Sequence, residues 1–311
     1  MLRAAGVAML AIALPLAGPS RAQESQACTK VHFAETGWTD LALTTETARH
    51  VLTALGYETQ SDMVGLGIIY ESLEAGSIDA FLGYWPLAQV EFQPYYDRNA
   101  AIVLGDNLEN TKFTLAVPTY VAEAGVKSFD DLAIHAAKFG SKIYGIEPGS
   151  NSYILDMVAA GAHGTQDWEV VESSEQGMLA QVESAVDQKD WIVFLGWAPH
   201  PMNSHFDMTY LSGGDDVFGP NYGSDTVRTV ARPKFENDCP NAAKLLGQIR
   251  FTMDYENSGM ARILDDGIPA SDAALEMMRK NPDLVYSWLD GVTTHDGKPA
   301  RAALEALLSG Q

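Results

Sequence analysis

Residues 192–202 read IVFLGWAPHPM, an apolar run of buried-strand type that enters a Gly-Trp-Ala-Pro turn and presents one tryptophan, Trp197. Two earlier stretches follow the same plan. VHFAETGWTD (31–40) runs from alternating apolar residues into Gly37-Trp38, and IDAFLGYWP (78–86) runs from an apolar segment into Gly83-Tyr84-Trp85-Pro86. Three strand ends that each carry a tryptophan point to a cage built from loops.

The segments between these stretches set the fold class. After the strand at Val31–Phe33, Thr39 or Asp40 stands where a helix cap belongs. The apolar face Leu41, Ala48, Val51, Leu52 and Leu55 follows, and Gly56 ends it. A strand from Tyr57, a short helix around Tyr70–Glu74 and the strand through Ile78–Leu82 complete a βαβαβ half-unit. Right-handed crossovers put the strand C-termini, and so Trp38 and Trp85, along one edge.

The pattern restarts at Lys112. It predicts a strand at Phe113–Val117, a helix capped by Ser128 and running to Lys138, and a strand at Lys142–Ile146 that leads into Glu147-Pro148-Gly149-Ser150-Asn151. A helix through Ile154–Ala159 and a strand at Trp168–Val171 come next. Ser173 and Gln176 have capping-box spacing before a helix over Met178–Val186, and the strand to Leu195 closes the series. Past a Gly/Asp-rich loop, Thr226–Ala231 reads as a strand returning to the first half, followed by five helices to the C-terminus.

Bulk properties frame this reading. Arg3, the apolar run Ala4–Ala17 and the small-residue site before Gln23 have the form of a secretory signal over residues 1–22, with Pro19 where a lipid-anchor cysteine would stand. The remaining length suggests two lobes. A net charge of −21 opposes nucleic acid and anionic lipid and favours small cations, and it also keeps an exported protein soluble. The two cysteines, Cys28 and Cys239, read as a disulfide in an oxidising compartment. That bond ties the N-terminal and C-terminal thirds into one lobe. The expected layout is lobe 1 over 23–112, lobe 2 over 113–211 and lobe 1 again over 212–311, with two crossings that form a hinge.

A quaternary ammonium has no N–H to donate, so a protein holds it with ring faces, tryptophan best. Trp38, Trp85 and Trp197 are the candidate walls, while Trp168, Trp191 and Trp288 lie at strand starts or on a helix and read as core. Any single tryptophan is better explained by ordinary burial or a lobe interface, but three at strand ends after glycine converge where open sheets bind ligands. Asp40 either balances the cation and accepts its hydroxyl or caps the helix, and Asn151 offers both donor and acceptor or caps the next one. The sequence has no His-x-x-x-His metal pattern, no Gly-x-Ser-x-Gly elbow and no phosphate loop. Neither metal nor cofactor is expected, and the chain reads as a binding protein and a monomer.

GWTD (37–40), DAFLGYWP (79–86), KIYGIEPGSN (142–151), VVESSEQGMLAQV (170–182), IVFLGWAPHPMN (192–203) and TYLSGGDDVFGPNYG (209–223) closely resemble the periplasmic choline-binding proteins of bacterial ABC importers. These belong to the glycine betaine and choline substrate-binding proteins, and the resemblance covers nearly the whole chain after residue 22. It implies an α/β, two-lobed periplasmic-binding-protein fold of type II, each lobe a doubly wound sheet flanked by helices, with the ligand in the interlobe cleft. It also implies an aromatic box of Trp38, Trp85 and Trp197, with a fourth wall that is tyrosine in a Lys-Tyr-Thr-Leu-Ala context in those relatives. Here that wall is Phe113 in KFTLA, so the ring face is kept and the phenol is lost. Asp40 and Asn151 match the pair that holds the choline hydroxyl, although the loop before Asn151 is shorter than in the relatives.

The resulting expectation is a periplasmic receptor that captures choline and delivers it to a membrane ABC permease. Choline rests on Asp40, whose charge would repel a betaine carboxylate, and a betaine or broad quaternary-ammonium binder is the first alternative, favoured if Asp40 only caps the helix. An exported hydrolase acting on acetylcholine-like esters and a ligand-sensing domain are the others. Because Trp38 and Trp85 fall in lobe 1 and Trp197 in lobe 2, closure is expected to bring Trp197 onto the cation.

Overall fold

The structure, a computed structural model, describes residues 24–310, so the signal segment 1–22 lies outside the described residues. Two five-stranded sheets organise it. The first contains β1 (Lys30–Glu35), β2 (Glu58–Met63), β3 (Ala80–Tyr84), β4 (Ile102–Leu108) and β10 (Val227–Ala231), in the order β2-β1-β3-β10-β4. The second contains β5 (Lys112–Pro118), β6 (Lys142–Tyr144), β7 (Glu169–Val171), β8 (Phe194–Ala198) and β9 (Met208–Tyr210), in the order β7-β6-β8-β5-β9.

The two sheets share one plan. Each has three parallel strands from βαβαβ, then an antiparallel strand that has just crossed from the other lobe: β10 beside β3, and β5 beside β8. β3 is buried along its whole length, as expected of a strand covered by helices on both faces. The helix Thr39–Ala54 buries Leu41, Leu43, Ala48, Val51 and Leu52, each fully buried leucine contributing about 2 kcal/mol. The helices Met253–Leu264 and Ala270–Lys280 pack on that helix and close the first lobe.

The crossings lie side by side. β4 passes to β5 through Glu109-Asn110-Thr111, and on the return path Asp225 pairs with Thr111. The Thr111 hydroxyl donates to the Asp225 carbonyl at 2.8 Å and accepts the Asp225 N–H at 3.0 Å. Before that crossing, Phe218 packs on Phe113 and Phe129 with ring centroids 5.9 Å away in each case. Cys28 and Cys239 are joined, with their Cα atoms 5.4 Å apart and both inside the first lobe.

Several local expectations are corrected. Neither Thr39 nor Asp40 caps the first long helix: Trp38 takes the N-cap backbone position, and Asp40 sits inside the first turn. Ser173 is not the cap of the helix Glu175–Gln188. Ser174 is, with its hydroxyl accepting the Gly177 N–H at 3.0 Å. The helix expected over 128–138 is two short turns, Asp130–Ile134 and Ala136–Phe139, broken at His135. In the first of these the N-cap position is Phe129, with no side-chain cap, and the Ser128 hydroxyl donates to Asp131 at 2.8 Å. Trp288 and Trp168 are buried as expected, whereas Trp191 is half-buried under the Lys138 ammonium, 3.9 Å from its ring centre.

Candidate functional site

The pocket between the lobes is lined by Trp38, Asp40, Trp85, Ala88, Phe113, Ile146, Ser150 and Trp197, and encloses about 320 Å³ with its open mouth included. Four aromatic residues from four separate elements therefore meet there. Backbone geometry delivers each of them.

Gly37, at φ +91°, takes a left-handed conformation that lets the chain turn sharply from β1 into the helix, and Trp38 is carried on that turn. Trp85 follows β3 directly, and its ring centre lies 6.2 Å from that of Phe113. Phe113 and Trp197 are cross-strand partners in the antiparallel β5/β8 pair, so their side chains leave the same face of the second sheet. Gly196 points the other way, where a Cβ would sit 3.0 Å from Tyr210 and 3.1 Å from Ala116, which accounts for glycine before the tryptophan. After Trp197 the Ala198–Pro199 bond is cis and the His200 ring packs at 4.9 Å from the indole.

Cross-cleft hydrogen bonds fix the box. Trp38 Nε1 donates to Glu147 Oε2 at 2.8 Å, and Glu147 Oε1 accepts the N–H of Glu175 at 3.0 Å. Glu175 in turn takes the Thr39 N–H at 3.1 Å and the Thr39 hydroxyl. A carboxylate of the second lobe thus caps the helix that the first lobe leaves without a side-chain cap. Gln176 Nε2 donates to the Gly37 carbonyl at 3.3 Å. The charge-patterned sequence gave no hint of this latch, because an acidic residue opening a helix is ordinary.

The polar groups divide. Asp40 lines the pocket at 8% exposure, and burial, helped by the negative charge of Glu175, pushes its carboxyl up to about 7. Backbone amides at Asp40 and Leu41 and the nearby His200 act in the opposite sense. Burial also raises Glu147 above the usual carboxylate range. Asn151 is not part of the pocket wall. Its amide is spent on its own loop: Oδ1 accepts the Ile146 N–H at 2.9 Å, and Nδ2 donates to the Ile146 and Glu147 carbonyls and to Glu172. It occupies space that only Gly145 leaves, since a Cβ there would be 2.3 Å from Oδ1. The residue before it reaches the pocket. Ser150 is 2% exposed, and its hydroxyl has no hydrogen-bond partner among the described residues. That hydroxyl is therefore free to bond a group that enters the pocket.

A two-lobed α/β receptor with an aromatic, acid-floored pocket at the seam is the class defined by this geometry. The chain belongs to the family of substrate-binding domains of ABC-type glycine betaine transport systems, whose model matches residues 29–280. It is similar to an ABC-transporter choline-binding protein solved in complex with choline, at 47% identity and a TM-score of 0.89, covering 92% of this chain and 100% of that one. An unliganded semi-closed form of an ABC-transporter choline-binding protein aligns at 46% identity and a TM-score of 0.82, covering 91% and 99%. The glycine betaine/carnitine transport binding protein GbuC of Listeria monocytogenes is 29% identical over 157 residues, 50% of this chain and 51% of that one.

Membership makes the protein a transport receptor and not an enzyme, with a membrane ABC permease as its partner. Receptors of ABC importers work outside the cytoplasmic membrane, in the periplasm or extracellularly. Among the described residues no helix is long and apolar enough to cross a membrane.

Proposed function

We propose that this protein binds choline in the periplasm and presents it to its permease. The observation that carries the reading is the four-ring pocket of Trp38, Trp85, Phe113 and Trp197 with one carboxyl, Asp40, on its wall. The rings hold the trimethylammonium by their negative faces, and Asp40 neutralises it. The free hydroxyl of Ser150 answers the ligand hydroxyl, in the part first assigned to Asn151, and Asn151 holds the loop that presents it. The similarity to a receptor solved with choline supports the same ligand. Binding across both lobes favours the closed state by the contacts made only there.

A second reading, a betaine or broader trimethylammonium binder, is favoured by one observation: a carboxyl lifted to about 7 is neutral in part at neutral pH and repels a carboxylate less. Tryptophan fluorescence titrated with choline, betaine and acetylcholine tests the proposal. Trp197→Ala removes one desolvated ring face, about 2 kcal/mol or ~30-fold in choline affinity. A variant that binds choline like the wild type would remove the box from the argument.

A further inference from the structure

Behind the box lies a set of carboxyls with almost no cationic company. Glu175 is 0% exposed and Glu256, on the helix Met253–Leu264, is 2% exposed. That helix packs on the helix carrying Asp40, with Tyr255 bonded to Thr47 at 2.9 Å and Gly259 under Leu43. The charged groups close enough to act on Asp40 are Glu175 and His200 from the second lobe and Glu256 from the helix below, while Glu147 is bonded to the Trp38 indole and the Glu175 N–H. Glu46, Arg49 and His50 sit further along the helix of Asp40, in its half-buried part. Among the described residues the salt bridges of Asp40, Glu147, Glu175 and Glu256 come to one, His200 Nε2 to Glu175 Oε1 at 3.4 Å. No three of these side chains are placed to hold a metal ion.

Buried carboxylates without a cation do not all stay ionised together; some hold protons instead. A quaternary ammonium arriving in the box is the missing positive charge. Resting on the choline reading of this site, we infer that binding is an exchange: the ligand cation enters against Asp40 and one proton leaves the Asp40–Glu175–Glu256 cluster for solvent. Glu175 is the positioning residue of that exchange. Its carboxylate, fixed by Thr39, keeps the proton on Asp40 until the cation replaces it. His200 touches Glu175 and also lines an outer groove with Gln176, Met202 and Asp265.

The exchange makes proton activity a selector of ligand chemistry. With Asp40 ionised the wall suits a cation. With Asp40 protonated its O–H can donate to a carboxylate, so the same box suits a trimethylammonium zwitterion. This agrees with Asp40 lying near neutrality.

Titration calorimetry of the purified protein with choline and with glycine betaine, between pH 5.5 and 8 and in two buffers of different ionisation heat, tests the exchange. A permanently charged ligand cannot titrate, so protons released belong to the protein. Choline affinity is expected to fall by ~30-fold from pH 8 to 5.5, with close to one proton released at the acid end. Betaine should move in the opposite sense, taking a proton up. Asp40→Asn should flatten both profiles, and if it no longer binds choline its betaine isotherm carries the test. Glu175→Gln keeps one of the two oxygens that accept from Thr39, loses the charge, and should move the choline midpoint to lower pH. A choline affinity that does not change with pH and exchanges no proton overturns the inference and leaves the choline reading standing. Retention of the wild-type profile in Asp40→Asn also overturns it. No choline binding at any pH overturns the choline reading itself.

Discussion

Asp40→Asn should make the protein more stable at pH 8 while weakening its hold on a cation. The side chain keeps its size and loses its charge, and the charge is what the fold resists. The carboxyl ionises around 3.8 in the open chain and at about 7 in the folded protein, chiefly because it is buried. A group raised in this way costs nothing below the lower value, and its penalty grows with pH until the upper value is passed. At pH 8 the penalty is about 1.36 kcal/mol for each of roughly three pH units, or about 4 kcal/mol. At pH 5 only about 2 kcal/mol has accumulated. The asparagine variant avoids the whole of it, so its advantage in urea unfolding should widen by about 2 kcal/mol between pH 5 and pH 8. Followed by heat, the gap at pH 8 is about 10 °C. Carboxyls remote from Asp40 titrate alike in both proteins and cancel, while Glu256, raised by its own burial and further by the Asp40 charge, is relieved in the variant and adds to the same trend. An advantage that is constant with pH, or a wild type that is the more stable at pH 8, would refute the assignment of a high-lying carboxyl at Asp40.

Three further outcomes are expected. Ser150→Ala removes a buried hydroxyl with no partner, so stability should be unchanged or slightly raised, while choline binding weakens by about 1 kcal/mol and tetramethylammonium binding, measured by calorimetry, does not change. Glu147→Ala leaves the Trp38 indole N–H and the Glu175 N–H without their acceptor, and stopped-flow fluorescence should report ligand release faster by about tenfold with a much smaller change in association. Replacing Cys28 and Cys239 by serine opens a loop with a sequence separation of 211, which the chain-entropy model values at about 5 kcal/mol. The denaturation midpoint of the variant should match that of the reduced wild type.

The box was legible in the sequence because its parts are written locally. A strand that runs into Gly-Trp places that tryptophan at a sheet edge whatever the rest of the chain does, and the two βαβαβ halves follow from periodicity alone. The missed strands are β4 and β9. β4 carries Gly105 and Asp106, and β9 has three residues, so neither offers an alternation long enough to read. The choice between Ser150 and Asn151 turns on loop conformation: adjacent residues leave the chain in different directions, and the cavity beside Gly145 takes the larger one. The Asp40 carboxyl is raised first by burial and then by Glu175, 135 residues away along the chain, and no local pattern encodes such a neighbourhood. The same holds for Glu175, which opens its own helix in sequence and closes another in space.

The placement of β10 has a consequence for how the molecule is assembled. This strand lies between β3 and β4, so the sheet that carries Trp38 and Trp85 remains split until the chain has been supplied as far as residue 231. The second sheet is built from an uninterrupted span ending at residue 210. As the polypeptide emerges N-terminus first, the lobe that begins the chain is therefore the last to be completed, and the Cys28–Cys239 bond can form only after that. Truncations between residues 211 and 226 should leave the Trp197 half with all five of its strands, and the Trp38 half with β2, β1 and β3 able to pair but β4 without its neighbour.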